Sequence, residues 1–276
     1  MAYIFVGGSQ RSGTSITQQM LCQLPTANPY LYEASFLRQL VSCYSDARNN
    51  FNNNHSSYFE SVQNLRGFCT GVVQAFLEGV RGRLGNIEHL ILKEPHLTMY
   101  WPYLFELVPE AKFLMVVRDP RDVIASMVSV GERQKSLGQK YLFTDRDIPA
   151  MCRHFLSFYE PAFAVKTEAF RAQLGVLHYE ELVNDPRQTM RDVSSFTGIA
   201  FDEIDVEATP NEGKVATSHT SSDALYSPWV TEVTGRKLSK GRVGNYVNVL
   251  TEAEISQVEI GCADFFEWFG YRSVAA

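Results

Sequence analysis

A chain of 276 residues with 45% hydrophobic and 20% charged residues can bury a sizeable core and has the composition of an ordinary soluble globular protein, read as one domain over 1–276. The net charge of −6 excludes a broad nucleic-acid surface, and no apolar run approaches the ~20 residues of a membrane span, so neither nucleic acid nor membrane is an expected partner. Five scattered cysteines with no C-x-x-C pair, and no clustered histidines, exclude a disulfide framework and a zinc site; with no basic leader at the start, they read as reduced thiols in a cytoplasmic protein.

Tyr3-Ile4-Phe5-Val6 is apolar and β-prone, and from Ser15 onward Ile16, Met20, Leu21 and Leu24 follow helical spacing. Between them lies Gly7-Gly8-Ser9-Gln10-Arg11-Ser12-Gly13-Thr14-Ser15, a phosphate-cradling turn that delivers backbone N–H groups at a helix N-terminus. Gly8 and Gly13 fit the G-x-x-x-x-G frame of a P-loop, but Thr14-Ser15 stand where a triphosphatase has its lysine. Arg11 supplies a cation from within the loop instead, which suits a phosphate-bearing ligand that has no γ-phosphate and need not bring Mg²⁺.

Leu24-Pro25 and Asn28-Pro29 mark turns, and Tyr30-Leu31-Tyr32-Glu33 reads as a short extended piece. Phe36, Leu37, Leu40, Val41 and Tyr44 predict a helix, ended by an exposed loop from Ser45 to Ser57 that carries five asparagines. A long amphipathic helix is expected from about Tyr58 to Arg83, closed by Gly85-Asn86. His89 to Leu92 is a strand ending on Lys93-Glu94-Pro95-His96.

Phe113 to Val117 is the most continuous apolar run, as a central parallel strand requires, and it stops at Arg118-Asp119-Pro120-Arg121-Asp122. Asp119 caps a helix whose first residue is Pro120. Gly131 to Asp147 reads as a loop, followed by a helix interrupted at Pro161, a strand at Leu174 to Tyr179, and a helix capped at Asp185-Pro186 that ends near Gly198. Phe201 to Gly244 has no clear periodicity, and a loop of that length in a compact domain is usually functional. Thr251-Glu252-Ala253-Glu254 is a capping-box pattern opening the last helix, which runs to Gly270.

This alternation predicts an α/β, P-loop-like three-layer fold, with a central parallel sheet and helices on both faces. Ligands then bind at the carboxyl ends of the strands, which gathers the loop around Arg11 with Lys93, Arg118 and Tyr179.

These residues resemble the sulfotransferases, and most of all the tyrosylprotein type. The similarity is carried by IFVGGSQRSGTS at 4–15, LKEP at 92–95, KFLMVVRDPRDVIASM at 112–127 and HYEELVNDPR at 178–187, and more weakly by TGIAF at 197–201, SSDALYSP at 221–228 and LSKGRVG at 238–244. The resemblance implies transfer of a sulfuryl group from 3′-phosphoadenosine 5′-phosphosulfate (PAPS), leaving 3′,5′-adenosine bisphosphate (PAP), without a metal. It implies that Arg11, Ser12, Gly13, Thr14 and Ser15 hold the 5′-phosphosulfate and that Arg118 and Ser126 bind the 3′-phosphate. Tyr179 and Ser221 would line the nucleotide site, with Lys240 and Gly241 closing over the 3′-phosphate.

Sulfuryl transfer needs an in-line nucleophile and positive charge where negative charge develops. Lys93 and Arg11 are the candidates to stabilise the leaving oxygen. Glu33 is the first candidate for the general base, near where the tyrosylprotein enzymes place theirs although the surrounding motif is incomplete, and His96 is its rival. The expected acceptor is a small hydroxylated or amino-bearing molecule. The competing readings are a P-loop kinase of a small metabolite, which the missing lysine disfavours, a tyrosylprotein-type enzyme, and a non-catalytic nucleotide-binding protein.

Overall fold

A computed structural model describes residues 2–207 and 240–272. Four strands, β1 (Ala2–Gly7), β2 (His89–Lys93), β3 (Lys112–Val117) and β4 (Leu174–His178), form one sheet in the order β2-β1-β3-β4. Every pairing is parallel, with Val6 level with Lys93, Gly7 with Met115, and Val117 with His178.

The strands are buried on both faces, so their side chains divide by period two into two cores. Tyr3, Phe5, Leu90, Leu92, Phe113, Met115 and Val117 face one core. It is filled from α2 (Ser35–Asn49), α4 (Val62–Arg83), α5 (Trp101–Leu107), α6 (Pro120–Ser136), α7 (Ile148–Leu156), α12 (Glu252–Gly261) and α13 (Ala263–Phe269). Ile4, Val6, Ile91, Leu114, Val116 and Leu177 face the other, against α1 (Thr14–Leu21), α10 (Tyr179–Asn184) and α11 (Pro186–Thr197). The three-layer α/β expectation therefore holds. Because β1 is followed by β2 on one side and then by β3 on the other, the chain reverses direction at the β1–β3 crevice, where such sheets bind ligands.

The expected caps form. The Asp119 side chain accepts from Arg121 N, Asp185 accepts from Gln188 N, and Thr251 and Glu254 make the reciprocal capping box. Elsewhere the boundaries differ. The loop expected from Ser45 to Ser57 is helical: α2 continues to Asn49, then a π-helical turn (Phe51–His55) and α3 (Ser56–Phe59) follow. Buried Tyr44, Ala47 and Phe51 extend the apolar spacing and override the turn preference of the asparagines. The long helix begins at Val62 rather than Tyr58, because Glu60 has φ 59° and Ser61 caps α4 by accepting from Asn64 N.

Helix α6 does not stop at Gly131 but runs to Ser136, since buried Phe143 folds back onto it at Gly131. The interruption expected at Pro161 falls earlier, and Pro161 opens the short helix α8 (Glu160–Ala164). The helix α9 (Glu168–Arg171) precedes β4, and Tyr179 is the first residue of α10 rather than the last of a strand. The final helix is split in two at Cys262. The piece at Tyr30 to Glu33 forms no strand; the segment meets the sheet through isolated pairings such as the bridge from Ala27 to His89 and the bond from Ala34 N to Lys93 O.

Candidate active site

The loop after β1 is held open from beneath. Gly8 has φ 129°, and a Cβ there would lie 2.3 Å from Val116 O, so only glycine lets the chain leave β1 this close to β3. Gly8 N donates to Thr98 Oγ1 at 2.9 Å and Ser9 N to Tyr159 Oη at 3.0 Å, while Tyr159 donates on to Val116 O at 3.2 Å. Ser12 has both its donors on Ser9 O, N at 3.2 Å and Oγ at 2.7 Å. It is fully buried and braces the loop from within.

Gly13 has φ 105°, and the Tyr179 ring packs where its Cβ would stand, 2.4 Å from Cδ2. Thr14, Ser15 and Ile16 then open α1, and their amides have no intrahelical acceptor.

Arg11 sits at φ 71°, and its Nε donates to Ser126 Oγ at 3.1 Å, which ties the loop to the first turns of α6. Its O accepts from Arg118 Nη1 at 3.2 Å. Burial, and then the charges of Arg133, Arg242 and Arg118, push the Arg11 guanidinium down to about 10. Four guanidinium groups therefore converge.

Arg118, just past β3, lies 4.6 Å over the Tyr179 ring and 3.5 Å from Asp122, and it donates to Arg242 O. Its Nε is buried and has no hydrogen-bond partner among the described residues. A cavity lined by Arg118, Asp122, Ala125, Ser126, Ser129, Arg133, Arg242 and Asn245 opens beside it, three arginines against one carboxylate. An unsatisfied buried donor in an arginine-lined cavity fits a phosphate dianion.

Arg133, Arg242 and Asp122 were not anticipated. Arg133 lies two helical turns beyond Ser126 on the same face of α6, a relation hidden by the expected end at Gly131. Asp122 accepts from Gly244 N at 2.8 Å and Tyr246 N at 3.0 Å, and so pins the returning chain that carries Arg242. Burial raises the Asp122 carboxyl, and Arg118 works against that rise. The backbone of Lys240 and Gly241 belongs to the short 3₁₀ turn ending at Arg242. Ser221 lies outside the described residues.

On the other side of the loop, Lys93 ends β2 level with Val6. The Asn28 side chain imitates a strand neighbour, accepting from Ile91 N at 2.6 Å and donating to Ile91 O at 3.0 Å, and Ala34 N donates to Lys93 O at 3.0 Å. The chain between them is thus laid along β2, and Glu33 Oε1 comes 2.9 Å from Lys93 Nζ. Lys93 is buried and Glu33 half-exposed. Ser15 hydrogen-bonds Tyr30, whose hydroxyl is pushed up to about 12 mainly by burial.

His96 Nδ1 is 3.3 Å from Glu94 Oε1, a carboxylate that already caps Pro95–Tyr100. Its ring lies 5.3 Å from Phe158 and 6.3 Å from His154. His154 Nε2 in turn is 3.3 Å from Gln10 Oε1 in the phosphate loop, and burial, then the charge of His96, holds it down at about 4. Among the described residues no group of three or more His, Cys, Asp or Glu could hold a metal ion, and no helix is long and apolar enough to cross a membrane.

Residues 3–203 match the model of the sulfotransferase family. The chain belongs to the sulfotransferase family. Among curated proteins this sulfotransferase is similar to protein-tyrosine sulfotransferase 2 of Gallus gallus, 27% identical over 207 residues, which are 73% of this chain and 52% of that one. It is similar also to the protein-tyrosine sulfotransferase of Drosophila melanogaster, 24% identical over 257 residues, 85% of this chain and 48% of the relative. The sulfotransferase thus spans about half the length of the curated relatives it matches. Its fold is that of the sulfotransferase domain from the Synechococcus PCC 7002 olefin synthase, with TM-score 0.62 at 18% identity, covering 99% of this chain and 95% of that one.

Proposed function

We propose that this sulfotransferase moves the sulfuryl group of PAPS to a hydroxyl, or an amine, of a small-molecule acceptor. The observation that carries the reading is the placement of the Glu33–Lys93 pair level with the start of a phosphate loop whose far side holds the cluster of Arg11, Arg118, Arg133 and Arg242. A basic cavity beside the loop suits the 3′-phosphate, and the loop amides with Arg11 suit the 5′-phosphosulfate.

In the transfer, the acceptor oxygen forms a bond to sulfur as the bond from sulfur to the bridging oxygen breaks, and that electron pair leaves with PAP. Glu33 takes the acceptor proton. Lys93 and Arg11 offset the charge that grows on the leaving oxygen, and the fixed loop supplies the alignment. The absence of a lysine at Thr14 weighs against a kinase using ATP and Mg²⁺.

The curated relatives named for protein tyrosine favour a second reading, a tyrosylprotein-type acceptor. Incubation with PAPS and a panel of phenols, alcohols, amines and tyrosine peptides, read by mass spectrometry for the gain of one sulfuryl group, separates the two. In thermal-shift measurements PAP is expected to stabilise the protein and ATP with Mg²⁺ not; the reverse pattern would overturn the assignment.

A further inference from the structure

An apolar ledge leads away from Glu33. Tyr30, hydrogen-bonded to Ser15 at the phosphate loop, has its ring 5.9 Å from Tyr32, which precedes Glu33 and is 50% exposed. Past Glu33, Phe36 is 57% exposed, and its ring lies 5.5 Å from Phe76 on α4. Phe76, Val72 and Phe68 follow one another at four-residue intervals, so they share one face of α4, and Phe68 meets Phe59 at 5.6 Å. Val72 and Phe68 are both solvent-exposed. From Phe76 to Phe68 the row extends ~12 Å at 1.5 Å per residue.

The surroundings of this row carry little positive charge. Between Gly67 and Val80 the helix has no lysine or arginine, and Glu78 is its one charged residue. Arg38, the nearest arginine on α2, points to Glu94 at 3.7 Å. An acidic peptide would find few counter-charges here, whereas an apolar body would cover exposed aromatic surface and place its hydroxyl at Glu33.

Resting on the sulfuryl-transfer reading above, we infer that the acceptor is a neutral molecule with an extended apolar body, laid from Glu33 across Phe36 and Phe76 toward Phe68. Linear primary alcohols from butan-1-ol to decan-1-ol test this with the PAPS-loaded protein. With the alkyl chain covered on one side, KM should fall by about twofold for each added methylene, with kcat nearly constant. Phe36→Asp should flatten the series throughout, and Phe76→Asp only among the longer members, while PAP affinity stays unchanged in both and reports an intact fold.

A tyrosine-bearing acidic peptide used with higher kcat/KM than decan-1-ol, or a series unaltered by Phe36→Asp, would overturn the inference. Binding of a fluorescent long-chain alcohol to the PAP complex separates it from the enzyme assignment. Binding that Phe36→Asp abolishes, with no sulfuryl transfer to any acceptor, sinks the assignment and keeps the apolar site. Transfer with binding indifferent to Phe36 does the opposite.

Discussion

Lys93 Nζ and Glu33 Oε1 are 2.9 Å apart, although sixty positions separate them in sequence. Lys93 is buried at the end of β2, and half-exposed Glu33 reaches it from a segment laid along that strand. A buried ammonium is costly to leave without a counter-charge, so the carboxylate holds Lys93 in place at the end of the strand.

Glu33→Gln is expected to lower kcat by ~10² to 10⁴, the usual contribution of a general base, with PAP affinity retained. His96→Ala should leave most of the activity, since His96 is engaged with Glu94. Steady-state kinetics beside calorimetric titration of PAP check both, and normal turnover in Glu33→Gln would reject the base.

Removing one charge-assisted contact to a phosphate dianion costs about 1.5–3 kcal/mol, or about ten- to 150-fold in Kd. Arg118→Ala and Arg133→Ala should each weaken PAP by that factor and adenosine 5′-phosphosulfate far less. Equal losses for both nucleotides would place these arginines away from the 3′-phosphate.

Gly8→Ala combines a left-handed φ with a clash against the Val116 carbonyl at 2.3 Å. It should destabilise the protein by about 1–3 kcal/mol and weaken PAP binding as the loop shifts. Urea unfolding, followed with and without PAP, measures both effects.

His154 ionises near 6.5 in an unfolded chain and is held at about 4 in the folded one, by burial first and His96 second. The unfolded state therefore binds the extra proton between these values, so the stability this residue contributes is complete above pH 6.5 and lost as pH falls toward 4. Between pH 7 and pH 5, Tm should fall further in the wild type than in His154→Asn; equal falls would exclude this titration.

Features set by neighbours along the chain were legible before folding. The glycine frame, Arg11, the apolar run ending at Arg118, and the caps at Asp119, Asp185 and Thr251 depend on residues a few positions apart, and they pointed to the right architecture. The ends of α2 and α6 were not legible, because Phe51 and Phe143 are buried by distant elements and outweigh local turn propensity.

The sequence by itself determined that a strand, an anion-binding loop and a helix stand at the start of a parallel sheet, because that pattern is local and its spacing admits few alternatives. Only the tertiary structure decided how the charges of the site pair and that Arg133 and Arg242 join them. Register sets Lys93 beside Val6, Asn28 carries Glu33 to it, and Asp122 pins the chain that brings Arg242 to Arg118. Each of these is a long-range pairing fixed by packing and buried hydrogen bonds, which no window of the sequence contains.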